Sequence, residues 1–241
     1  MKDSQLTQIR TYLLDRKLPI DILMEVQDHF VSQISDLERN ENVDFEEAFE
    51  KVKKSWQGEL KLYWDGGWDL QDNSKFLRRM YLSINLGVLK QTLKAGSAVI
   101  LVLIVTAQLT HAALFKNLLT LTAVLLTFFP LIHYLLRRQD FMLATKYQKY
   151  VLTYYQHSAA IFFSTFAVFL PNIAEIYDHS EAVHHLFRFN TVPLQVESPV
   201  FFWIVFFFII FGNMVVYVIQ RNYLRQINKV KPFLKYLKPS S

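Results

Sequence analysis

The stretches of this chain that lack charged side chains fix its class before any motif does. Between Lys94 and Lys116 no Asp, Glu, Lys or Arg occurs for 21 positions, and between Lys116 and Arg137 none occurs for 20. At about 1.5 Å of rise per residue, each run is long enough to cross roughly 30 Å of hydrocarbon as an α-helix. A third apolar stretch lies between Lys149 and Glu175. A fourth runs from Pro199 to Gln220, with eleven apolar residues in a row from Phe201 to Phe211. One such run could be a buried helix of a soluble core. Four of them leave too little polar sequence to cover a soluble body in a chain of 241 residues that is 52% hydrophobic. The chain therefore reads as all-α, a small N-terminal three-helix cytoplasmic domain followed by a four-helix transmembrane bundle. The spans fall at about 95–115, 117–136, 152–174 and 199–220.

Charge is divided as sharply as hydropathy. Residues 1–72 carry 9 Lys or Arg against 16 Asp or Glu, a net charge of −7, whereas residues 73–241 carry 17 against 5, a net charge of +12. An acidic head on a basic membrane body is not the footprint of a nucleic-acid binder, even at a pI near 9.2. Bases also alternate along the chain. Lys90 and Lys94 precede the first span, Lys116 alone follows it, and Arg137, Arg138, Lys146 and Lys149 fill the next connection. Arg188 is the one base of residues 178–198, and Arg221, Arg225, Lys229, Lys231, Lys235 and Lys238 follow the fourth span. The positive-inside rule then puts both termini in the cytoplasm and favours an even number of spans. The start Met1-Lys2-Asp3-Ser4-Gln5 has no apolar region of a cleaved signal behind it, so the first span is expected to direct insertion. Without cysteine there is no disulfide framework and no thiolate chemistry.

Three short helices account for residues 4–58. Ser4 is the expected N-cap of the first, with Leu6, Ile9 and Leu13 at helical spacing behind it. Lys17-Leu18-Pro19 breaks that helix, because proline suits the first turn of a new helix and not the interior of an old one. Leu23, Phe30, Ile34 and Leu37 share a broad face of the second. Asp44 and Glu47 have capping-box spacing ahead of the stripe Phe45, Ala48, Phe49, Val52 and Trp56 in the third. Each apolar face needs a partner, which a compact three-helix unit supplies, although a unit this small leans on further contacts. His29 lies beside the stripe near Asp28 and Glu25, where no second catalytic group converges, and is read as structural or solvated.

The order Tyr12-Leu13, Leu18-Pro19, Glu25, His29, Ile34, Leu37-Glu38, Phe45-Glu46-Glu47-Ala48 and Val52 resembles the small helical HAAS, or DUF1700-like, domain at the N-terminus of many bacterial membrane proteins. The likeness covers about a quarter of the chain. It departs from the family in the turn before the third helix, where Asn42 and Val43 replace the usual glycine, and at Ser55-Trp56, where a Leu-Gly pair is usual. The resemblance implies a bacterial inner-membrane protein concerned with regulation or signalling rather than catalysis.

Residues 59–93 read as a linker with Gly66, Gly67, Trp64 and Trp68, then an amphipathic juxtamembrane helix in which Phe76, Met80, Tyr81, Ile84 and Val88 are flanked by Arg78, Arg79 and Lys90. Inside the spans the polar groups are mild: Thr106, Gln108, Thr110, Thr120, Thr122, Thr127 and Asn213. No acid or base sits at mid-membrane depth, where ion-coupled transport usually places one. With no Gly-x-x-x-Gly pair and Gly212 standing alone, the bundle is expected to pack through Phe, Leu and Thr surfaces rather than by close backbone approach. The bases Arg78, Arg79, Lys90, Lys94, Arg137, Arg138, Arg221, Arg225, Lys229 and Lys231 form the expected membrane-surface set, facing anionic lipid. In the tail, residues 221–241, three readings compete. The bases bind lipid with Phe233 and Tyr236 dipping inward, they only set topology, or they contact the acidic head. Pro232 is expected to break the tail helix, leaving its first half continuous with the fourth span.

One outer loop crowds Glu175, Asp178, His179, Glu181, His184 and His185 into eleven residues. Imidazoles and carboxylates are competent zinc ligands, so His179, His184, His185 and Glu181 are the candidates if a metal is held there, although a solvated loop has the same composition. His-Glu-x-x-His, a phosphate-binding glycine loop and a Gly-x-Ser-x-Gly elbow do not occur. The chain therefore reads as a membrane-anchored regulatory or interaction module rather than an enzyme, needing no cofactor. Its partners are the bilayer and a cytoplasmic protein or a second copy. The alternative is a subunit of a small transporter or channel-like assembly, with Gln108, Thr106, Thr127 or Asn213 lining a wet path.

Overall fold

A computed structural model of the chain describes residues 1–63, 73–156, 169–189 and 200–239. Trp64, Gly66, Gly67, Trp68 and the centre of the expected third span lie outside the described residues. The elements are α1 (Asp3–Leu14), α2 (Ile20–Glu41), α3 (Phe45–Leu60), β1 (Leu62–Tyr63), β2 (Asn73–Ser74), α4 (Lys75–Leu109), α5 (Ala112–Leu136), α6 (Arg138–Lys146), α7 (Ile173–Asp178), α8 (Ser180–Phe187) and α9 (Val200–Val230), closed by a 3-10 turn at Lys231–Tyr236. Among the described residues the chain is all-α apart from the antiparallel pair of two-residue strands, in which Leu62 faces Ser74 and Tyr63 faces Asn73. Three helices among the described residues are long and apolar enough to cross a membrane: α4, α5 and α9 with its terminal turn.

The structure divides into two compact units. The first gathers Met1–Asn85, Met142–Gln156 and Arg225–Ser241, and the second gathers Leu86–Phe141 and His157–Leu224. In the first, Ile9 and Leu13 of α1, Leu23, Val26, Phe30 and Ile34 of α2, and Ala48, Phe49 and Val52 of α3 make the core. Helix α1 starts earlier than expected. Its N-cap is Lys2 rather than Ser4, because the Gln5 side chain reaches back to accept the Lys2 N–H at 2.7 Å. Lys17 turns the chain with a left-handed φ of 53°, and Pro19 caps α2. At the other end of α2, Asn42 adopts φ 52°, a conformation asparagine tolerates better than most residues. Asp44 then caps α3 by accepting the Glu47 N–H at 2.9 Å.

A proline N-cap has no side-chain oxygen to offer, so the orphan amides of α2 find acceptors elsewhere. Ile20 N–H donates to the Val151 carbonyl at 2.8 Å and Asp21 N–H to the Leu152 carbonyl at 3.2 Å. This corrects the start of the expected third span. Residues 151–153 are irregular and 154–156 are turn, with Leu152 fully buried, because they serve as a cap for the head. At the far end, residues 170–172 are turn and α7 begins only at Ile173, so a single helix over 152–174 does not occur. The expected juxtamembrane helix and first span, in contrast, are one 35-residue helix, α4.

In the second unit, Leu103 and Ala107 of α4, Phe115, Leu119 and Ala123 of α5, Ile176 of α7, Val183 and Phe187 of α8, and Phe206, Ile209 and Ile210 of α9 share one core. Leu101, Leu121, Leu125, Ile132, Phe201 and Ile204 remain exposed, the outward apolar face that a helix in hydrocarbon requires. Packing here departs from the expectation of bulky surfaces alone. The Phe211 ring lies where a Cβ on Gly96 would stand, and the Phe169 ring comes within 2.8 Å of the corresponding point on Gly212. Each glycine is a socket for an aromatic ring.

Gly87, on the same helix as Gly96, has nothing within 4 Å of its Cβ position. Gly87→Ala should stabilise the folded protein by up to about 1 kcal/mol through helix propensity. Gly96→Ala should cost about 1–3 kcal/mol by overpacking. Thermal unfolding in detergent, read by circular dichroism, is expected to move in opposite directions for the two variants.

Candidate functional site

The features that could carry function lie mainly in the first unit, which three separate stretches of chain build. Helix α2 presents Asp21 in its first turn, half-buried where residues 151–154 cap the helix. Its carboxylate accepts the Ile22 N–H at 3.0 Å and the Tyr154 N–H. Burial pushes the Asp21 carboxyl from its usual 3.8 up to about 6, those two backbone bonds oppose the rise, and the negative charge of Glu25 adds to it. The capping segment is fastened from its other side. The Tyr154 hydroxyl shares a 2.9 Å hydrogen bond with Asn85 Oδ1, and its ring lies 4.5 Å from that of Tyr81.

The tail is the second contribution. Ile227, Val230, Phe233 and Leu237 are buried, and the 3-10 turn begins where Pro232 ends the α-helix. The Arg10 guanidinium of α1 lies 3.9 Å from the centre of the Tyr236 ring and 6.0 Å from that of Phe233. Of the three readings of the tail, contact with the head is the one these distances describe for Phe233 and Tyr236. The bases Arg225, Lys229, Lys231 and Lys235 stay exposed.

Two grooves flank α3. One, of about 510 Å³ between α2 and α3, is lined by Gln33, Leu37, Asn40 and Val52, with Lys51 paired to Glu41 at 2.7 Å and Glu47 at 2.9 Å. The other, of about 550 Å³, lies between α1 and α3 and holds Tyr12, Arg16, Lys53, Lys54 and Lys61.

The remaining predicted site residues are scattered. Arg78 donates to the Tyr63 carbonyl at 2.7 Å and Arg79 pairs with Glu59, so these two of the expected membrane-surface bases are engaged by protein. Lys90, Lys94, Arg137, Arg138, Arg221, Arg225, Lys229 and Lys231 are exposed. In the outer segment, His184 is buried with Nε2 at 3.1 Å from the Thr110 carbonyl and its ring 4.9 Å from that of Phe115. His179 stacks on Phe202 at 4.7 Å, with Nδ1 at 3.1 Å from the Glu175 carbonyl. Glu181 points to solvent. Among the described residues no three His, Asp or Glu side chains are grouped to hold a metal, so the candidates His179, His184, His185 and Glu181 are not brought together. Deeper in the second unit, His133 Nδ1 lies 3.0 Å from Oε1 of the fully buried Gln220, a long-range pair that local sequence does not signal.

Set against protein-family models, curated proteins and solved structures, the chain matches none of them.

Because Asp21 binds its proton more tightly when folded, it adds stability below pH 3.8 that is lost as pH rises through about 6. Asp21→Asn keeps the acceptor and removes the buried charge. It should stabilise the protein at pH 7 by about 1–3 kcal/mol and flatten stability across that window, as read by urea unfolding at a series of pH values. For the tail, Arg10→Ala should remove about 0.5–2 kcal/mol of cation–π attraction. Limited proteolysis is then expected to cut near Lys235 faster than in the unaltered chain.

Proposed function

We infer that the chain holds a cytoplasmic helical unit at the membrane as a regulatory or protein-interaction module. The observation that carries this reading is the composition of the first unit. The head, residues 142–156 and the tail from Arg225 are the segments that the positive-inside rule assigns to the cytoplasm, and they gather into one body. A chain that commits three separate segments to one unit at a single face of the membrane has its working surface there. The resemblance of the head to the HAAS domain points the same way, toward a bacterial inner-membrane regulator with both termini inside. Exposed Lys90, Lys94, Arg137, Arg138 and Arg221 suit an anionic leaflet around it.

The conduit alternative calls for mid-span polar groups that face water. Thr106, Thr120, Thr122, Thr127 and Asn213 instead donate to the carbonyl four residues back in their own helices, at 2.8–2.9 Å. Gln108 donates to the Phe187 carbonyl at 2.7 Å. Such groups are satisfied within the protein, as an anchor requires.

The cysteine-free background gives a direct test. In Thr106→Cys, Thr127→Cys and Asn213→Cys variants, a membrane-impermeant maleimide should leave the thiol unlabelled, and Lys229→Cys should react in inverted vesicles but not in intact cells. Labelling of the mid-span positions would overturn the anchor in favour of the conduit. Photocrosslinkers at Gln33 and Asn40, in the α2–α3 groove, should yield a discrete adduct in cells. Their failure to do so removes the interaction reading.

A further inference from the structure

The acidic head contains a pocket of the opposite charge. Residues 1–72 hold only 9 bases against 16 acids, yet the groove between α1 and α3 is lined by four of those bases, Arg16, Lys53, Lys54 and Lys61, and by only two acids, Asp15 and Glu50. Its volume of about 550 Å³ is that of a small-molecule site. A second cavity of about 570 Å³ shares Tyr12, Asp15 and Lys53 with it, so the groove continues along α1 past Thr7 and Thr11.

The centre of the groove is Tyr12. The Arg16 guanidinium lies 4.7 Å from the centre of its ring and Lys53 Nζ 5.4 Å. One ring thus gathers two cations in the same small volume, of which Lys53 is answered by Glu50. Arg16 donates from one Nη to the Tyr12 hydroxyl at 3.2 Å, and its Nε is buried with no acceptor among the described residues. Lys53 is paired with Glu50, whereas neither Lys54 nor Lys61 has an ion-pair partner among the described residues. The α2–α3 groove differs on this point, since its one base, Lys51, already bonds two carboxylates. The converging C-terminal ends of α1 and α3 carry partial negative charge and balance part of the excess. They leave the Arg16 Nε donor unanswered.

The geometry points to a binding site for a phosphate-bearing ligand in this groove. A phosphate monoester carries a charge of about −1.5 to −2 and offers three acceptor oxygens. That matches the unpaired Lys54 and Lys61, the charge of the Arg16 guanidinium and the Tyr12 hydroxyl, while the ligand's remainder lies along the Thr7 and Thr11 end. The same headgroup chemistry is available from a soluble phosphate ester and from an anionic phospholipid, and the two sources separate experimentally.

The full chain in phosphatidylcholine nanodiscs would be titrated with glycerol 3-phosphate by calorimetry, and in a second arm reconstituted with a minor fraction of phosphatidic acid observed by phosphorus NMR. Saturable binding in the first arm identifies a soluble ester. A phosphatidic acid shift without calorimetric binding identifies a headgroup. In whichever arm responds, the Lys54→Gln/Lys61→Gln double variant and Arg16→Gln should weaken binding by ~10-fold or more, the loss expected for charge-assisted hydrogen bonds. Lys51→Gln, in the other groove, should leave it unchanged. Lys54 and Lys61 are exposed, so the double variant retains its fold. Absence of a response in both arms, or a response that the double variant and Arg16→Gln leave intact, overturns the site.

Discussion

A backbone amide that leaves water must find its acceptor inside the protein, and this requirement shapes both units of the chain. In the second unit it is met by long helices, whose polar side chains bond back to their own carbonyls or, like Gln108 and His184, reach a carbonyl at the end of another helix. In the first unit the same requirement acts at one point, the N-terminus of α2. Proline at the cap fixes the entry of the chain into the helix but supplies no acceptor, so the Val151 and Leu152 carbonyls are drawn in. That capping joins two stretches of chain more than a hundred residues apart in sequence, and it places Asp21 where its charge is costly. The raised pKa of Asp21 is thus a consequence of how the helix end was satisfied.

What could be read from the sequence was local. Charge-free runs, the Pro19 and Pro232 breaks and the Asp44–Glu47 cap each depend on neighbours within a few positions, and each corresponds to a feature of the structure. The third apolar stretch shows the limit of that reading. At its start Leu152 is buried in the first unit, and a hydropathy count cannot tell burial in protein from burial in lipid. The same ambiguity hid the glycine sockets. Gly96 and Phe211 belong to different helices, so no spacing rule links them.

Among the described residues the His and acid side chains between Glu175 and His185 do not converge, for a geometrical reason. Eleven residues divided between two short helices cannot keep their side chains on one side. His184 turns inward against Phe115, Glu181 turns outward, and His179 lies flat on Phe202. Density of ligand-type residues in sequence is therefore weak evidence for a site unless the period of the backbone returns them to one face. The α1–α3 groove is the converse case. Its bases are spread from Arg16 to Lys61, and only the side-by-side course of two helices, with Gln8 in the middle of α1 bonded to Glu46 in the first turn of α3, brings them together.

Basic residues in a chain of this kind answer to more than one force, which is why their sequence reading was least specific. The positive-inside rule selects Lys and Arg on one side of the membrane without regard to what each then touches. Arg78 and Arg79 belong to the expected membrane-surface set and still spend donors on Tyr63 and Glu59, while Lys90 and Lys94, a few turns along the same helix, remain exposed. The tail divides in the same manner. Its aromatic residues Phe233 and Tyr236 are held by Arg10, yet Arg225 and Lys229 keep their charges in solvent. An amphipathic basic segment therefore has two faces with separate uses. Its apolar face settles against the protein's own head, and the bases Arg225 and Lys229 stay exposed, so the contact made by one face does not decide the contact made by the other.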